Sequence, residues 1–470
     1  MNAVIYMIDW ILFVPLAFCV SYLLFYAIAS RFYRSPQYPA ARKQHRFAVL
    51  FPAYREDRVI VNAVQSFLGQ EYPAELYDVI VISDQMQPAT NDALRQLPIH
   101  LLEADYTDSS KAKALVLAME HIAGDAYDIV VVMDADNITT SNFLSEMNRA
   151  YDFGLPAIQA RRTGKNLNTD VAMLDAVSEE INNGIFRSGH NAVGLSASLS
   201  GSGMAFDAGW FRRNVRQLQT AGEDKELETM LLRQNIHIGY LQYLPVYDEK
   251  TQKTTNIKNQ RKRWIAAQFG ALATVLPDLP KAFMQGNMDY CDKIFQWMLP
   301  PRLLQLAAVF GLALVAFIVC PPEASIKWGI LVLAQIMAML LPIPRKLLNR
   351  QLLKAVLKVP QLAFVMAGNL FKLKGANKKF IHTEHGEGER ERRKSYANRS
   401  NCQLYLGAGR RRDRFRTGAR PAEQPERASA DAVRHVFDRY RYQFHYQSGQ
   451  HDSGRAGDSG GVYHRAPAAP

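Results

Sequence analysis

Three short apolar segments rich in β-branched residues limit what this chain can fold into. Their sequences are FAVLF at 47–51, VIVIS at 79–83 and IVVVM at 129–133, and each ends at a turn or an acidic residue. Amphipathic helical patterns separate them, at residues 57–68, 111–122 and 141–151. Buried strands that alternate with helices are typical of a mainly parallel sheet covered on both faces. The sequence therefore predicts a mixed, mainly parallel α/β domain.

Acidic residues follow the ends of these strands, where the ligands of parallel sheets bind. They are Asp84 and the pair Asp134 and Asp136 of the segment DAD, while the segment PAYRE at 52–56 follows the first strand. Carboxylates that converge on one edge repel one another unless a cation lies among them, and Mg²⁺ carrying phosphate oxygens meets that need. Helix capping is the alternative, because Asp134 or Asn137 could begin a helix over 139–151.

The glycine patterns of the chain exclude two common phosphate cradles. Neither the Walker sequence GxxxxGK[ST] nor GxGxxG occurs, so no glycine-rich loop of these kinds holds a nucleotide. The segment Gly201-Ser202-Gly203 suits a tight turn or a close backbone approach to a ligand instead. The segment HTEH at 382–385 lacks the spacing of a zinc helix, and the four cysteines show no paired or CxxC spacing.

Two later segments combine charge with a helical pattern. The segment GED at 222–224 begins an amphipathic helix, where the helix dipole by itself favours acidic residues. The segment QRKRW at 260–264 lies in a long helical stretch. Its basic residues suit lipid headgroups, whereas an Arg and a Trp together also suit a diphosphate and the face of a sugar. The residues alone leave both interpretations open for each segment.

Long uncharged segments flank the α/β region. Residues 10–30 contain no charge and are followed by Arg31 and further basic residues, which favours a membrane-spanning signal anchor with its N-terminus outside. Residues 303–322 and 328–344 would form a hairpin that leaves and re-enters on the cytoplasmic side, and two buried helices of a soluble domain are the alternative. Residues 359–371 are too short to span a bilayer and suit an interfacial helix.

These segments divide the chain into four regions. We predict an anchor at 1–30, a cytoplasmic α/β domain at 31–290, a membrane region at 291–386 and a tail at 387–470. Within the membrane region, the spans are placed at about 303–322 and 326–344, and the interfacial helix at about 352–373. This organisation predicts a multi-pass protein of the cell inner (cytoplasmic) membrane, with membrane lipids as partners.

The net charge of +12 does not indicate a nucleic-acid partner. Residues 387–470 hold 16 Arg, one Lys and ten acidic residues, so that +7 of the total belongs to the tail. The tail has turn formers and no sustained apolar face, which predicts disorder, and its abrupt rise in Arg usage is also what a shifted reading frame would produce. The α/β region has no basic stripe interleaved with aromatic residues, which argues against nucleic-acid binding.

The order and spacing of PAYRE, Asp84, DAD, GSGMAF, GED and QRKRW resemble those of membrane-bound family-2 glycosyltransferases. The similarity covers roughly residues 45–275. The family includes cellulose, chitin and hyaluronan synthases, which are inverting enzymes with a GT-A fold. The resemblance implies transfer of a sugar from a nucleoside-diphosphate sugar, usually a UDP-sugar, to a glycan or lipid-linked acceptor in polysaccharide biosynthesis.

The resemblance also implies roles for individual residues. A nucleotide-sugar site would comprise Ala53, Tyr54, Glu56, Asp84, Lys111, Asp134, Gln260 and Arg263. An acceptor site would comprise Gly201, Ser202, Gly203, Glu223 and Trp264. Asp224 would be the general base, and Asp136 with Asp134 would bind Mg²⁺ or Mn²⁺. Val116 stands where the family commonly has an Asn after the lysine that Lys111 matches.

The membrane segments bear on the product. Three spans are too few for a translocation channel within one chain, and a processive synthase would therefore need a homo-oligomer or an export partner. An enzyme similar to ceramide glucosyltransferase would instead add a single sugar to a lipid. The alternative outside the class of enzymes is a membrane assembly subunit that has no catalytic activity.

Overall fold

The structure of the protein, a computed structural model, describes residues 3–357 apart from 123, 125, 221, 251–253 and 320. It gives the backbone alone for residues 3, 254–263, 323 and 324. The predicted interfacial segment at 359–371, the HTEH segment and the tail at 387–470 lie outside the described residues. The predictions for these segments are not tested by the structure.

One sheet of eight strands forms the centre of the described chain. The strands are β1 (Phe47–Tyr54), β2 (Tyr77–Asp84), β3 (His100–Ala104), β4 (Ile129–Val132), β5 (Ile138–Thr139), β6 (Ala157–Gly164), β7 (Met204–Asp207) and β8 (Ile238–Asp248). Their order across the sheet is β3-β2-β1-β4-β7-β6-β8-β5. Four neighbouring pairs are parallel and three are antiparallel, which confirms the predicted mixed, mainly parallel sheet.

The three apolar segments of the sequence are the strands β1, β2 and β4. Successive side chains of a strand point to opposite faces of the sheet, and residues 47–51 of β1 are all buried. Both faces of the sheet are therefore covered at this strand. The same continuous burial holds for all four residues of β4, and burial of such apolar side chains is the main favourable term in folding.

The strand β7 is an antiparallel element that the sequence pattern did not reveal. It lies between β4 and β6 and is antiparallel to both. The turn that precedes it contains Gly201 with φ of 84° and Gly203 with φ of 62°, values in the left-handed region that glycine adopts without steric cost. The tight turn expected at this segment is therefore present.

Fifteen helices are described around and beyond the sheet. They are α1 (Ala3–Phe32), α2 (Ile60–Phe67), α3 (Pro88–Arg95), α4 (Lys111–His121), α5 (Phe143–Asp152), α6 (Asp170–Asn182), α7 (His190–Ala192), α8 (Ala208–Val215), α9 (Glu223–Arg233), α10 (Thr254–Val275), α11 (Leu279–Met284), α12 (Met288–Met298), α13 (Arg302–Val319), α14 (Pro322–Leu340) and α15 (Arg350–Val356). A π-helical segment, Asn183–Gly189, joins α6 to α7.

Two helices of the described chain are long and apolar enough to cross a membrane. They are Val4–Phe32, within α1, and Arg302–Val319, which is α13. The apolar part of α14, Ser325–Leu340, is shorter. The structure thus contains a helix at each predicted span, and the second span of the predicted hairpin is the shorter one.

An ion pair links the first helix to α14. Asp9, which is buried in α1, pairs with Lys327 and accepts a hydrogen bond of 2.7 Å from Trp328 Nε1. A buried carboxylate is costly unless it is paired and hydrogen-bonded, and both conditions are met here. This contact connects segments of the chain that are 318 residues apart.

Candidate active site

A cavity of about 860 Å³ lies at the carboxyl ends of β1, β2 and β4. Most of the residues predicted for the site lie on its wall. They are Ala53, Tyr54, Glu56, Asp84, Lys111, Asp134, Gly201, Glu223, Asp224 and Trp264. The parallel register explains part of this convergence, because β1 and β2 pair along their whole length and Tyr54 lies opposite Asp84 at their ends.

Asp84 ends β2 at one side of the cavity and is only 3% exposed. Burial raises the pKa of its carboxyl, and hydrogen bonds from the Ser109 hydroxyl and the Tyr106 backbone oppose that effect. One oxygen, Oδ1, is buried and has no hydrogen-bond partner among the described residues. Buried acceptors are normally satisfied, and so this oxygen suits the N–H group of a ligand.

Lys111 lies at the centre of the cavity wall, at the first residue of α4. The helix begins here because the Ser110 side chain accepts a hydrogen bond of 3.2 Å from the backbone N of Lys113. Lys111 Nζ donates to Asp134 Oδ1 at 2.5 Å and to Gly201 O at 2.6 Å. It also lies 3.5 Å from Glu223 Oε1.

These contacts keep the lysine charged. Burial by itself would lower the pKa of Lys111, but the carboxylates of Asp134 and Glu223 outweigh it and raise the pKa above its usual value. A protonated ammonium is therefore held at the carboxyl end of β4, beside the aspartate that follows that strand.

Arg162 is a residue of the cavity wall that sequence reasoning missed. Its Nη2 lies 3.5 Å from Asp134 Oδ2, and its Nε donates to Asp248 Oδ2 at 2.8 Å. The neighbouring Arg161 pairs with Glu180 instead. Adjacent arginines after the apolar start of β6 are a visible signal, but the alternation of side chains along a strand does not reveal which of them faces the ligand.

Asp136 lies deeper than Asp134 and is 5% exposed. Its Oδ2 accepts a hydrogen bond of 2.6 Å from the backbone N of Glu249, and its Oδ1 accepts one of 3.2 Å from Asn137 Nδ2. The alternative role of Asp134 or Asn137 as a helix cap is wrong, because α5 begins at Phe143. Asn137 Oδ1 instead accepts from the backbone N of Asp134 and stabilises the DAD turn.

The residues present fit a divalent cation that brings most of its own oxygen ligands. Among the described residues, no group of three or more His, Cys, Asp or Glu could hold a metal ion. Mg²⁺ often binds one or two carboxylates and completes its shell with phosphate oxygens and water. Asp134, on the cavity wall, meets that requirement, and a carboxylate such as that of Asp136 has about four acceptor sites.

The glycine turn before β7 contributes one residue to the cavity rather than three. Gly201 lies on the wall. Ser202 is fully buried behind it, and a Cβ at Gly203 would lie 2.8 Å from Val246 Cγ2. Ser202 and Gly203 are absent from the wall, and their predicted contacts with the acceptor stay a prediction.

Glu223 and Asp224 enter the cavity from the first turn of α9. The preceding Gly222 allows close packing, because a Cβ there would lie 3.2 Å from the Cβ of Ala267 on α10. Burial raises the pKa of Glu223 to about 7, against the opposing effect of Lys111. Asp224 is partly buried, and its Oδ1 accepts a hydrogen bond of 2.9 Å from the backbone N of Lys225.

The helix α10 contains the segment QRKRW, as its pattern predicts. Trp264 lies on the cavity wall and is 37% exposed. The side chains of Gln260 and Arg263 lie outside the described part of the structure. Their predicted contact with a diphosphate stays a prediction.

The sheet, with acidic residues at the carboxyl ends of its parallel strands, defines a GT-A-type α/β domain. Residues 45–267, a little under half of the chain, match the family described as "Glycosyltransferase like family 2". No curated protein sequence matches the chain.

Several solved structures are similar to the chain at low sequence identity. One is the mannosyltransferase PcManGT from Pyrobaculum calidifontis in complex with GDP-Man and Mn²⁺, at 17% identity and a TM-score of 0.47, over 70% of this chain and 96% of that chain. Another is residues 1–349 of S. aureus TarS, at 14% identity and a TM-score of 0.37, over 70% and 92%. A third is glucosyl-3-phosphoglycerate synthase from Mycobacterium tuberculosis with Mn²⁺, UDP and phosphoglyceric acid, at 16% identity and a TM-score of 0.37, over 51% and 84%.

Proposed function

We propose that this protein is an inverting glycosyltransferase that moves a sugar from a nucleoside-diphosphate sugar to a glycan or lipid-linked acceptor. The observation that carries the proposal is one cavity in which Asp84, Lys111, Asp134 and Asp224 lie together, within a segment that matches family 2. Such a transfer needs a hydrogen-bond partner for the nucleobase, a cation beside the diphosphate and a general base for the acceptor hydroxyl. Each of these three groups has a candidate in the cavity.

The donor would lie along the carboxyl ends of β1, β2 and β4. The unsatisfied Oδ1 of Asp84 would accept the N–H of a base such as uracil. Lys111 and Arg162 would bind the diphosphate, because both are cations on the cavity wall and an arginine matches phosphate oxygens well. Gln260 and Arg263 are proposed for the same group on the basis of the QRKRW segment.

Asp224 would act as the general base. An acceptor hydroxyl attacks the anomeric carbon as its proton passes to the Asp224 carboxylate, while the bond from that carbon to the diphosphate breaks. The nucleoside diphosphate leaves from the opposite face with the electron pair, and so the configuration inverts. Lys111 and Arg162 stabilise the charge that develops on the leaving group, an effect that is often the largest in catalysis.

Asp134 and Asp136 are the candidates to hold Mg²⁺ or Mn²⁺. When bound, such a cation would neutralise diphosphate charge as a Lewis acid. The Asp136 carboxylate lies behind the cavity wall, where the Glu249 backbone and Asn137 fix it by hydrogen bonds. The two carboxylates lie two residues apart on the turn after β4.

The proposed location is the cytoplasmic face of the inner membrane. Two helices of the described chain, within α1 and at α13, are long and apolar enough to span, and Arg31 follows closely on the first uncharged segment. Basic residues on the cytoplasmic side of a span follow the usual charge rule. The sugar-transfer domain lies between these helices in the chain.

The test is turnover and binding of nucleotide sugars by the purified full chain in detergent or nanodiscs. A panel of UDP-sugars and GDP-mannose would be assayed for hydrolysis and transfer with Mg²⁺, with Mn²⁺ and with EDTA. We expect turnover of at least one donor, and its loss with EDTA. The absence of both binding and turnover of every donor would reject the proposal and favour a non-catalytic assembly subunit.

A further inference from the structure

The cavity does not end at the catalytic carboxylates. Beyond them its wall is formed in part by α13 and α14, and most of the residues there are apolar, with Arg302 and Gln305 of α13 as the polar exceptions. We call this part the apolar arm and define it by Leu303, Leu306, Phe310, Ile336, Met339 and Leu340. The apolar arm and the sugar-transfer residues thus belong to one continuous space of about 860 Å³.

Half of the apolar arm lies on a helix that is a candidate for crossing the membrane. Leu306 and Phe310 belong to α13, which is long and apolar enough to cross a bilayer. Met339 belongs to α14, which packs against α13. With α13 in the bilayer, as proposed above, a lipid hydrocarbon chain would be the apolar group nearest to this part of the cavity.

The six residues of the apolar arm favour a hydrocarbon chain over a sugar chain. Sugar hydroxyls that leave water must form hydrogen bonds to protein, and an unsatisfied buried hydroxyl is costly. The side chains of Leu306, Phe310 and Met339 offer no comparable donors or acceptors. A hydrocarbon chain, by contrast, gains free energy with each methylene that such a lining removes from water.

The catalytic end of the cavity selects a hydroxyl. Asp224 brings a carboxylate to the site where the acceptor must be deprotonated. A lipid alcohol needs a base to accept its proton, whereas an ionised phosphate oxygen needs none. The two ends of the cavity therefore match the two ends of one amphipathic molecule.

We infer that the acceptor is a membrane lipid whose headgroup hydroxyl lies at Asp224 and whose hydrocarbon chain lies in the apolar arm. The inference rests on the proposed function and narrows its acceptor. The headgroup oxygen forms the new bond to the anomeric carbon, its proton passes to Asp224, and the nucleoside diphosphate leaves with the electron pair. The product is a glycolipid with one added sugar.

A tryptophan in the apolar arm provides the first test. Vesicles of phosphatidylethanolamine and phosphatidylglycerol would carry dioleoylglycerol or ceramide as a lipid alcohol, or a polyprenyl phosphate. Transfer would be compared with transfer to the short-chain dihexanoylglycerol. We expect Leu306→Trp to lower the ratio of dioleoylglycerol turnover to dihexanoylglycerol turnover by about tenfold. Contacts of this size in an apolar pocket typically change the preference between two substrates by about tenfold or more.

The control substitution lies on the same helix. Leu314→Trp places the same ring at a position that is 63% exposed and absent from the cavity wall, and it should keep the wild-type ratio. Met339→Trp, on α14, should lower the chain-length ratio in the same way as Leu306→Trp. With two arm variants, a folding defect in one of them does not decide the result. Size-exclusion profiles of all three variants would verify that each folds.

The outcomes separate the two proposals. If wild-type protein binds and hydrolyses a nucleotide sugar but transfers it only to a soluble glycan or to the lipid phosphate, the inference is wrong and the proposed function stands. An unchanged chain-length ratio in both arm variants would also overturn the inference. If no nucleotide sugar binds, the proposed function itself fails.

Discussion

Lys111 Nζ lies 2.5 Å from Asp134 Oδ1, which joins the first residue of α4 to the turn that follows β4. The same ammonium donates to Gly201 O at 2.6 Å, and so it links three segments of the cavity wall. A cation is thus held where the diphosphate of a donor is proposed to bind. The site has its positive charge in place, so little reorganisation would be needed during the reaction.

Replacement of Lys111 should impair the departure of the diphosphate. We expect Lys111→Met to reduce kcat by about 10²–10³-fold, because removal of one preorganised charge-stabilising group typically has this effect. Steady-state kinetics with the preferred donor measure this change. Lys113→Met is the matched control, since Lys113 lies on the same helix with its side chain 47% exposed and pairs with Asp108. Equal loss in both variants would contradict the proposed role.

Replacement of Asp224 should remove turnover while the donor still binds. Asp224→Asn keeps the size of the side chain but cannot accept the acceptor proton, and so we expect kcat to fall by about 10²–10⁴-fold. Calorimetric titration should give a nucleotide-sugar Kd close to that of the wild type. Asp92→Asn is the control, because the Asp92 side chain is 68% exposed and pairs only locally with Arg95. Wild-type turnover in Asp224→Asn would rule out the base.

Replacement of Arg162 should raise the KM for the donor, whereas replacement of the neighbouring Arg161 should not. Arg162→Gln removes a cation near Asp134 and leaves Asp248 with Lys250, which donates to it at 2.9 Å. We expect at least a tenfold rise in KM for the donor, since a neutral amide does not replace the charge of a guanidinium beside a diphosphate. Arg161→Gln breaks the pair with Glu180 instead. That variant should lose stability in thermal unfolding but keep the donor KM.

The stability of the protein should respond to the titration of Glu223. Burial raises the pKa of this carboxyl to about 7, from an unfolded value of 4.5. The folded state therefore binds more protons than the unfolded state between these values, and its stability falls as the pH rises through this window. Glu223→Gln lacks the titration. Its Tm relative to wild type should rise from pH 4.5 to pH 7 and then stay constant.

A flat difference between the two Tm profiles would contradict a raised pKa of Glu223. Asp92→Asn serves as the control here too, because the Asp92 side chain is 68% exposed and lies outside the cavity. The measurement is thermal unfolding followed by intrinsic fluorescence in one buffer series of constant ionic strength. Low salt would be avoided, since it exaggerates the interactions of surface charges.

The contributions of Asp9 and Lys327 to the free energy of unfolding should be coupled. Removal of one partner leaves a poorly solvated charge, and so Lys327→Leu should destabilise the protein by up to about 3–5 kcal/mol. The double variant Asp9→Leu with Lys327→Leu should recover most of that loss. Thermal unfolding in detergent, analysed as a double-mutant cycle, measures the coupling. Additive losses would show that the two side chains do not interact.

The class of the fold could be predicted from local patterns. The alternation of strand and helix depends on residues that are close in the chain, and the apolar segments at 47–51, 79–83 and 129–133 became β1, β2 and β4 for this reason. The convergence of Asp84 and Asp134 could also be predicted from the sequence, because the carboxyl ends of parallel strands meet at one edge of a sheet.

Contacts between distant segments could not be predicted in the same way. Lys111 and Gly201 are 90 residues apart, and their contact depends on the antiparallel placement of β7 between β4 and β6. Of the three residues predicted for the acceptor site in the glycine turn, only Gly201 lies on the cavity wall, and Gly203 packs against Val246. Arg162 faces the cavity and Arg161 does not, a choice made by the packing of β6.

The sequence by itself determined the α/β class, the acidic strand ends and the apolar segments that flank the domain, because these features depend on local periodicity and composition. The tertiary structure alone decided that Lys111 and Arg162 both lie beside Asp134 and that the apolar residues of α13 and α14 continue the same cavity. The physical reason is that side-chain direction and cavity shape arise from close packing between elements far apart in the chain.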